Sequence, residues 1–219
     1  LILIKYIYDI IFFKGGFKMN IFESRRSIRK YDENYKISKE KLTEIITLAQ
    51  RAPSSMNLQP TRLLVVESKE YKNKLKNALY GNQLQLETSS AMIIVLTDLN
   101  KFSEANYIFD EAVKNNIMPE SVRQDQLKKI DHITKHVTKE KILQDGLLDA
   151  GLFSMQLMLV AKSYGYDTCA IGGFNKEKLK EEFKLEDNLE PALIISIGKK
   201  DEEGYPSYRL PINKITKFL

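Results

Sequence analysis

Hydrophobic residues along the chain form runs whose spacing predicts a central helix followed by a strand. Residues 147–164 are apolar on all sides at helical spacing, which is typical of a membrane span or of a buried helix in a larger fold. Because Asp149 and Lys162 interrupt the run and no second span follows, we expect a buried central helix. Gly165 should end this helix in a left-handed cap, and a short strand over residues 166–171 should follow.

Other segments alternate between predicted helices and predicted strands. Residues 62–67, 91–97 and 192–198 are rich in β-branched and aliphatic side chains, which indicates buried strands. Residues 39–51 have apolar positions at amphipathic helical spacing, and residues 103–144 are polar and helical. Helix starts are marked by N-cap residues followed by a charged turn, namely Ser38, Ser68, Thr138 and Asn175. The mixed order predicts an α+β or α/β domain with helices on a central sheet.

The N-terminal segment, residues 1–18, differs in composition from everything that follows. Its apolar run is too short to span a bilayer, and it lacks the basic start and small-residue cleavage site of a secretory signal. We therefore expect a non-native or disordered extension over residues 1–18 and a single domain over residues 19–219, with Met19 as the functional start.

Composition and charge narrow the class of protein. The chain has 219 residues and a net charge of +5, and both signs are spread along it without a basic tail. This pattern points to solubility more than to a nucleic-acid surface. The only cysteine is Cys169, so an internal disulfide is excluded and a cytoplasmic location is expected, with Cys169 as a core thiol.

The densest positive cluster begins at Arg25. Arg25, Ser27 and Arg29 alternate, so in an extended segment they would project from one side. Two guanidinium groups that flank a hydroxyl suit a phosphate monoester. A solvated basic turn is the equally good alternative.

Two further stretches are candidate binding elements. Residues 51–60 form a polar loop ahead of a predicted strand, and its neutral hydrogen-bonding groups suit a polar heteroaromatic ligand. Gly172 and Gly173 follow another predicted strand and would present bare backbone N–H groups. An ordinary loop in the first case and a tight turn in the second remain alternatives.

Several common sites are missing from the sequence. It contains no glycine-rich dinucleotide fingerprint, no phosphate loop and no nucleophile elbow. His132 and His136 are one helical turn apart, but no third ligand accompanies them, so we predict a solvated helix face and no metal site.

Taken in order, these motifs resemble those of the FMN-dependent nitroreductase family from about Asn20 to the C-terminus. The resemblance is carried by the segments Arg25-Arg-Ser-Ile-Arg29, Pro53-Ser-Ser-Met-Asn-Leu-Gln-Pro60, Asn82-Gln-Leu-Gln85, Ile171-Gly-Gly-Phe174 and Arg209-Leu-Pro211. It implies an α+β fold with a mixed central sheet, helices on both faces, and an intertwined homodimer with two FMN sites at the interface.

The resemblance also implies which residues bind the cofactor. They are Arg25, Arg26, Ser27, Arg29, Pro53, Ser54, Ser55, Asn57, Asn82, Gln85, Ile171, Gly172, Gly173 and Arg209. Those that would hold the phosphate are Arg25, Ser27, Arg29 and Arg209, and those that would contact the ribityl chain or the flavin pyrimidine edge are Asn82 and Gln85. The residues expected from the other subunit are Pro53, Ser54, Ser55 and Asn57, and the two glycines would address flavin N5. The chain has Gly172 where some members have an acidic residue, and Ser207 where some have a lysine.

The implied function is a ping-pong oxidoreductase with FMN as cofactor and NADH or NADPH as electron donor. Nitroaromatic, quinone or related small molecules would be the acceptors, and no catalytic side chain is identified. Residues 103–144 would cover the site, with Tyr107 and Phe109 lining it. The alternatives are dehalogenation or flavin breakdown on the same scaffold, a non-catalytic flavin-binding protein, and a basic nucleic-acid-binding module.

Overall fold

The computed structural model describes residues 21–219, so the predicted boundary at Met19 lies outside the described residues. Four strands, β1 (Thr61–Val66), β2 (Ala91–Asp98), β3 (Asp167–Ile171) and β4 (Leu189–Gly198), form one sheet in the order β1-β2-β4-β3. Each ladder between them is antiparallel. A parallel pairing is contributed by the isolated bridge between Ser27 and Thr168, which adds an extended segment beside β3.

Nine helices surround this sheet within the described residues. They are α1 (Ile21–Ser24), α2 (Lys39–Ala49), α3 (Lys69–Lys76), α4 (Gln83–Thr88), α5 (Ala105–Lys114), α6 (Glu120–Thr134), α7 (Lys139–Ser163), α8 (Lys176–Phe183) and α9 (Ile212–Ile215). The predicted N-caps are confirmed, since each of these side chains accepts a hydrogen bond from a backbone N–H in the first turn: Ser38, Ser68, Thr138 and Asn175. Each such cap stabilises its helix by about 1 kcal/mol.

Strand β2 is buried along its whole length because helices cover both faces of the sheet. Ile93 and Val95 pack in a cluster with residues of α2 and α7. Met92 and Ile94 point to the opposite face, where residues of α3, α4 and α8 cover them. Because successive side chains of a strand point to opposite faces, β2 contributes residues to two hydrophobic cores. The predicted α+β fold with helices on both faces of the sheet is confirmed.

Helix α7 is the predicted central helix, and Gly165 ends it with the expected left-handed φ of 76°. One face of the helix packs in the core, whereas Leu148, Leu152 and Met155 are exposed in the single chain. Helix α7 lies close to strand β2 at Gly146, where an added Cβ would be only 2.2 Å from the Thr97 hydroxyl oxygen. A Cβ at Gly151, by contrast, would meet nothing within 4 Å.

Helices α5 and α6 form a small layer of their own above residues 53–60. Their apolar faces pack in a third cluster around Leu58, together with Phe109 and Ile130. The prediction that Phe109 lines the site is therefore wrong, because this ring is the buried anchor of an amphipathic helix, whereas Tyr107 is exposed. Within residues 21–219, no helix combines the length and the apolar character that crossing a membrane requires.

Candidate functional site

The basic segment that contains Arg25 runs alongside strand β3. The Ile28 N–H donates to the Thr168 carbonyl at 3.1 Å, and Ser27 forms the parallel bridge with Thr168. The backbone here is therefore extended, and successive side chains point to opposite sides. Ser27 and Arg29 consequently share one side. Arg25 lies at the end of α1, where its N–H donates to the Ile21 carbonyl at 3.1 Å.

Cys169 on β3 lies at the centre of this side. Burial raises the pKa of the Cys169 thiol, and four groups that favour the thiolate oppose that effect. These groups are the charges of Arg29 and Arg25 and the hydrogen-bonding side chains of Gln85 and Ser27. Four residues assigned to the cofactor from two distant motifs therefore meet around one buried thiol. The expected core thiol is confirmed as buried, but its place beneath the candidate site was not foreseen.

Arg25 and Arg29 supply the positive charge of this cluster, and the backbone N–H of Arg29 donates to Glu202 Oε1 at 2.5 Å. Neither Arg25 nor Arg29 forms an ion pair within residues 21–219, although most basic groups nearby do. One Arg29 Nη donates to the Ser27 carbonyl at 3.2 Å, and the guanidinium lies 5.1 Å from the centre of the Tyr205 ring. Two unpaired guanidinium groups beside a hydroxyl form a suitable receptor for a phosphate group.

Arg26, which the resemblance groups with the cofactor residues, lies apart from the other three. It lines a separate cleft of about 270 Å³ together with Lys200 and Glu203. Its guanidinium donates to the backbone carbonyls of Glu23 and Arg25. The extended backbone explains this separation, since Arg26 is out of phase with its neighbours.

The Gly172–Gly173 turn is exposed at the end of β3. A Cβ at either position would meet nothing within 4 Å, and neither residue has a left-handed φ. Neither crowding nor backbone conformation within the described chain thus requires glycine here. The Tyr80 N–H donates to the Gly173 carbonyl at 3.0 Å, which places the start of the Asn82 segment beside the turn.

The segment after Tyr80 leads into helix α4. Asn82 has a left-handed φ of 60° and precedes the helix without capping it through its side chain. Gln85, one turn further on, is buried and faces Cys169. The structure therefore joins the Asn82–Gln85 motif, the basic segment and the glycine turn into a single region around the end of β3.

The polar loop at residues 53–60 occupies a different place. The backbone φ angles of Met56, Asn57 and Gln59 are 54°, 56° and 48°, in a left-handed region that residues other than glycine rarely adopt. Each such residue costs on the order of 1–3 kcal/mol, and this strain is typical of ligand-binding segments. No hydrogen bond or ion pair within residues 21–219 joins this loop to the region around Cys169.

A cleft of about 370 Å³ adjoins the loop and contains a residue to which the sequence analysis assigned no role. Pro53, Ser54 and Gln59 line it, together with Phe153 and Asp149 of helix α7. The Ser55 N–H donates to Asp149 Oδ1 at 3.0 Å. The signal that could have identified Asp149 was a carboxylate in an otherwise apolar stretch of helix.

Arg209 lies in a C-terminal arm, residues 201–219, that extends from the end of β4. Its guanidinium donates to the Tyr208 carbonyl at 3.2 Å, and the side chain is exposed. The arm also exposes large apolar residues, namely Tyr205, Tyr208, Leu210, Ile212, Ile215, Phe218 and Leu219. An arm with this composition is suited to packing on another protein surface.

The predicted solvated surface at the histidine pair is confirmed. His132 lies in helix α6 and His136 lies just beyond its end; both are exposed, with ring centres 4.9 Å apart. In the part of the chain that the structure describes, no three potential ligand residues converge in a way that could hold a metal ion.

Comparison with known proteins places the chain in a family. A sequence model described as the Nitroreductase family matches residues 22–199. YdgI of Bacillus subtilis, provisionally named an NAD(P)H nitroreductase, is 45% identical over 205 residues, which cover 91% of this chain and 96% of YdgI. A CLA biosynthesis enone reductase of Lactiplantibacillus plantarum is 29% identical over 202 residues, covering 90% of this chain and 91% of that protein.

The fold is shared with solved structures. A crystal structure from Exiguobacterium sibiricum, provisionally described as a nitroreductase in complex with FMN, has a TM-score of 0.90 at 45% identity. The match covers 94% of this chain and 98% of that one.

Proposed function

The chain belongs to the nitroreductase family, and from this premise we propose that it is an FMN-dependent oxidoreductase that uses NADH or NADPH to reduce a small-molecule acceptor. The observation that carries this proposal is the unpaired guanidinium pair of Arg25 and Arg29. These charges flank Ser27, which forms a parallel bridge with Thr168 of β3, the strand that ends at the open Gly172–Gly173 turn.

The residues of this region fit FMN. Arg25, Arg29 and the Ser27 hydroxyl match the charge and hydrogen-bonding capacity of a phosphate monoester. The amides of Asn82 and Gln85 can donate and accept hydrogen bonds, as a flavin pyrimidine edge or ribityl chain requires. The glycine turn leaves space that a side chain would otherwise fill.

When bound, FMN would supply the chemistry for hydride transfer between NAD(P)H and the acceptor. The chain holds the phosphate by charge, orients the flavin with neutral amides, and keeps the backbone at the glycine turn accessible. We assign no side-chain acid or base to the reaction.

We propose further that two copies of the chain share each site, with residues 53–57 reaching the partner's flavin. Three features support this arrangement. The loop is separate from the region around Cys169 in one protomer. Leu148 and Leu152 leave an apolar face of helix α7 uncovered, and the C-terminal arm is apolar and exposed.

The acceptor is proposed to be a nitroaromatic, a quinone or a related electron-poor molecule. The enone reductase among the relatives extends the classes to be tested to α,β-unsaturated carbonyl compounds. Steady-state oxidation of NADH and NADPH with each class identifies the preferred pair.

The direct test is the purified protein itself. We expect a yellow protein that releases FMN on denaturation and oxidises NAD(P)H when an acceptor is present. Release of FAD alone, or a colourless protein that does not take up FMN, would overturn the proposal. Flavin binding without turnover would favour the non-catalytic alternative, and steeply salt-dependent nucleic-acid binding would favour a basic binding module.

Cys169 provides a reporter of site occupancy because it is the only cysteine in the chain. When the FMN concentration is 100 times its dissociation constant, nearly all of the protein is ligand-bound by mass action. We therefore expect the rate of Cys169 modification to fall by about tenfold or more. The measurement is the rate of reaction with a chromogenic disulfide, with apo-protein as reference. A rate that FMN does not change would show that flavin binds away from Cys169.

Arg209→Ala should weaken FMN binding. A hydrogen bond to a charged group contributes about 1.5–3 kcal/mol, which corresponds to roughly a 10- to 150-fold change in affinity. Ser207 supplies no charge that could compensate. Fluorescence titration of the apo-protein measures the loss, and Lys214→Ala in the same arm is the matched control. Equal affinities for both variants would place Arg209 outside the phosphate site.

A further inference from the structure

Asp149 is a buried carboxylate on the face of helix α7 whose other residues pack in the hydrophobic core. The residue is 4% exposed, and its neighbours along the same face are Ala150 and Phe153. Asp149 Oδ1 accepts the Ser55 N–H at 3.0 Å. Its Oδ2 atom is buried and has no hydrogen-bond partner among the described residues.

A carboxylate in this setting is unfavourable for folding. Burial raises the pKa of Asp149, while the Ser55 N–H and the Lys101 charge act in the opposite direction. An apolar side chain of similar size would remove the cost of the unpaired oxygen but would leave the Ser55 N–H without its acceptor, so the two effects on the free energy of unfolding oppose each other. Stability of the fold alone therefore does not account for an acid at this position.

The loop that Asp149 contacts needs external support. Met56, Asn57 and Gln59 are all in the left-handed region, so the free loop would relax toward other conformations. At its far end, Arg62 donates to the Gln59 carbonyl at 2.9 Å and pairs with Asp98 at 3.2 Å. At its near end, the hydrogen bond from Ser55 to Asp149 is the corresponding attachment to the core.

We propose that Asp149 is a positioning residue whose carboxylate holds the Ser55 N–H and thereby sets the conformation of residues 53–60 that completes the partner's flavin site. This inference rests on the proposed function. It gives the buried acid a role in cofactor binding that it exerts through Ser55, without contact with the flavin. It also explains why the half-satisfied carboxylate is present in a core helix.

Two substitutions separate positioning from packing. Asp149→Leu removes the acceptor but keeps a similar volume, so we expect an apo-protein whose unfolding temperature changes little and an affinity for FMN that is lower by about 10- to 100-fold. Asp149→Asn keeps Oδ1 as an acceptor and should restore most of the affinity. Asp145→Asn is the control, because Asp145 lies one turn earlier on α7 and pairs with Lys141 and Lys101.

Fluorescence titration with FMN and thermal unfolding of the apo-proteins are measured on the same samples. Undiminished affinity in Asp149→Leu would overturn the proposal, and so would an affinity loss that Asp149→Asn shares in full. A fall in unfolding temperature that parallels the affinity loss would assign Asp149 to packing instead. If the wild-type protein itself does not bind FMN, the proposed function fails, and this outcome is distinct from the others.

A mixed dimer extends the test to the shared site. When Asp149→Leu chains are exchanged with Arg25→Ala chains, one site of each mixed dimer has both the wild-type phosphate cluster and a wild-type loop. We expect tight FMN binding to return in half of the sites of each mixed dimer. Absence of recovery would show that Asp149 does not act through the partner's site.

Discussion

Replacing both Arg25 and Arg29 by alanine should lower the affinity for FMN by about 100- to 10,000-fold, because two charge-assisted contacts of about 1.5–3 kcal/mol each are lost. The fold should be unaffected, since neither guanidinium has an ion-pair partner within residues 21–219. Removal of two neighbouring like charges should, if anything, raise the stability of the apo-protein.

Arg26→Ala is the matched control for this double variant. Arg26 has the same charge and lies between the two substituted residues, but it lines the separate cleft beside Lys200. Its substitution should leave the affinity for FMN unchanged. The affinities are measured by fluorescence titration at fixed salt concentration. If Arg26→Ala weakens binding as much as the double variant, the effect reflects net charge and no phosphate site has been identified.

The second large effect is expected from mixed dimers. Homodimers of Arg25→Ala and of Asn57→Ala should each be strongly impaired, because the same defect is present in both of their sites. After subunit exchange, one site of a mixed dimer contains both substitutions. The other site combines wild-type Arg25 from one chain with wild-type Asn57 from the other. Activity should therefore reappear, up to half of the wild-type value per mixed dimer.

This result discriminates between one-chain and two-chain sites. If each site were built from a single chain, every site in the mixture would still contain one substitution, and no activity would return. The measurement is NAD(P)H oxidation before and after exchange, and circular dichroism checks that both variants are folded. An inactive mixture of folded variants would reject the shared site.

Local physical rules explain why parts of this structure follow from sequence. An N-cap such as Ser38 depends only on its own side chain and the next helical turn, so it is recognisable without tertiary contacts. Similarly, the alternation of Ser27 and Arg29 predicts a common side once the backbone is extended, and the bridge between Ser27 and Thr168 provides that backbone.

Features that depend on contacts between distant segments were not accessible from sequence. The burial of Phe109 is decided by the packing of α5 on Leu58, about fifty residues away in the chain. Asp149 gains its role only because a strained loop from another segment brings the Ser55 N–H to its carboxylate.

The sequence by itself determined the helix starts, the positions of the strands, the order of the candidate motifs and the family they resemble. Tertiary structure decided which of these motifs meet around Cys169, which residue of the basic cluster lies apart, and which polar side chains are buried. The physical reason is the distance along the chain over which each interaction acts. Capping and periodicity act within one or two turns of chain, whereas burial, charge pairing and strain depend on how segments far apart in sequence pack together.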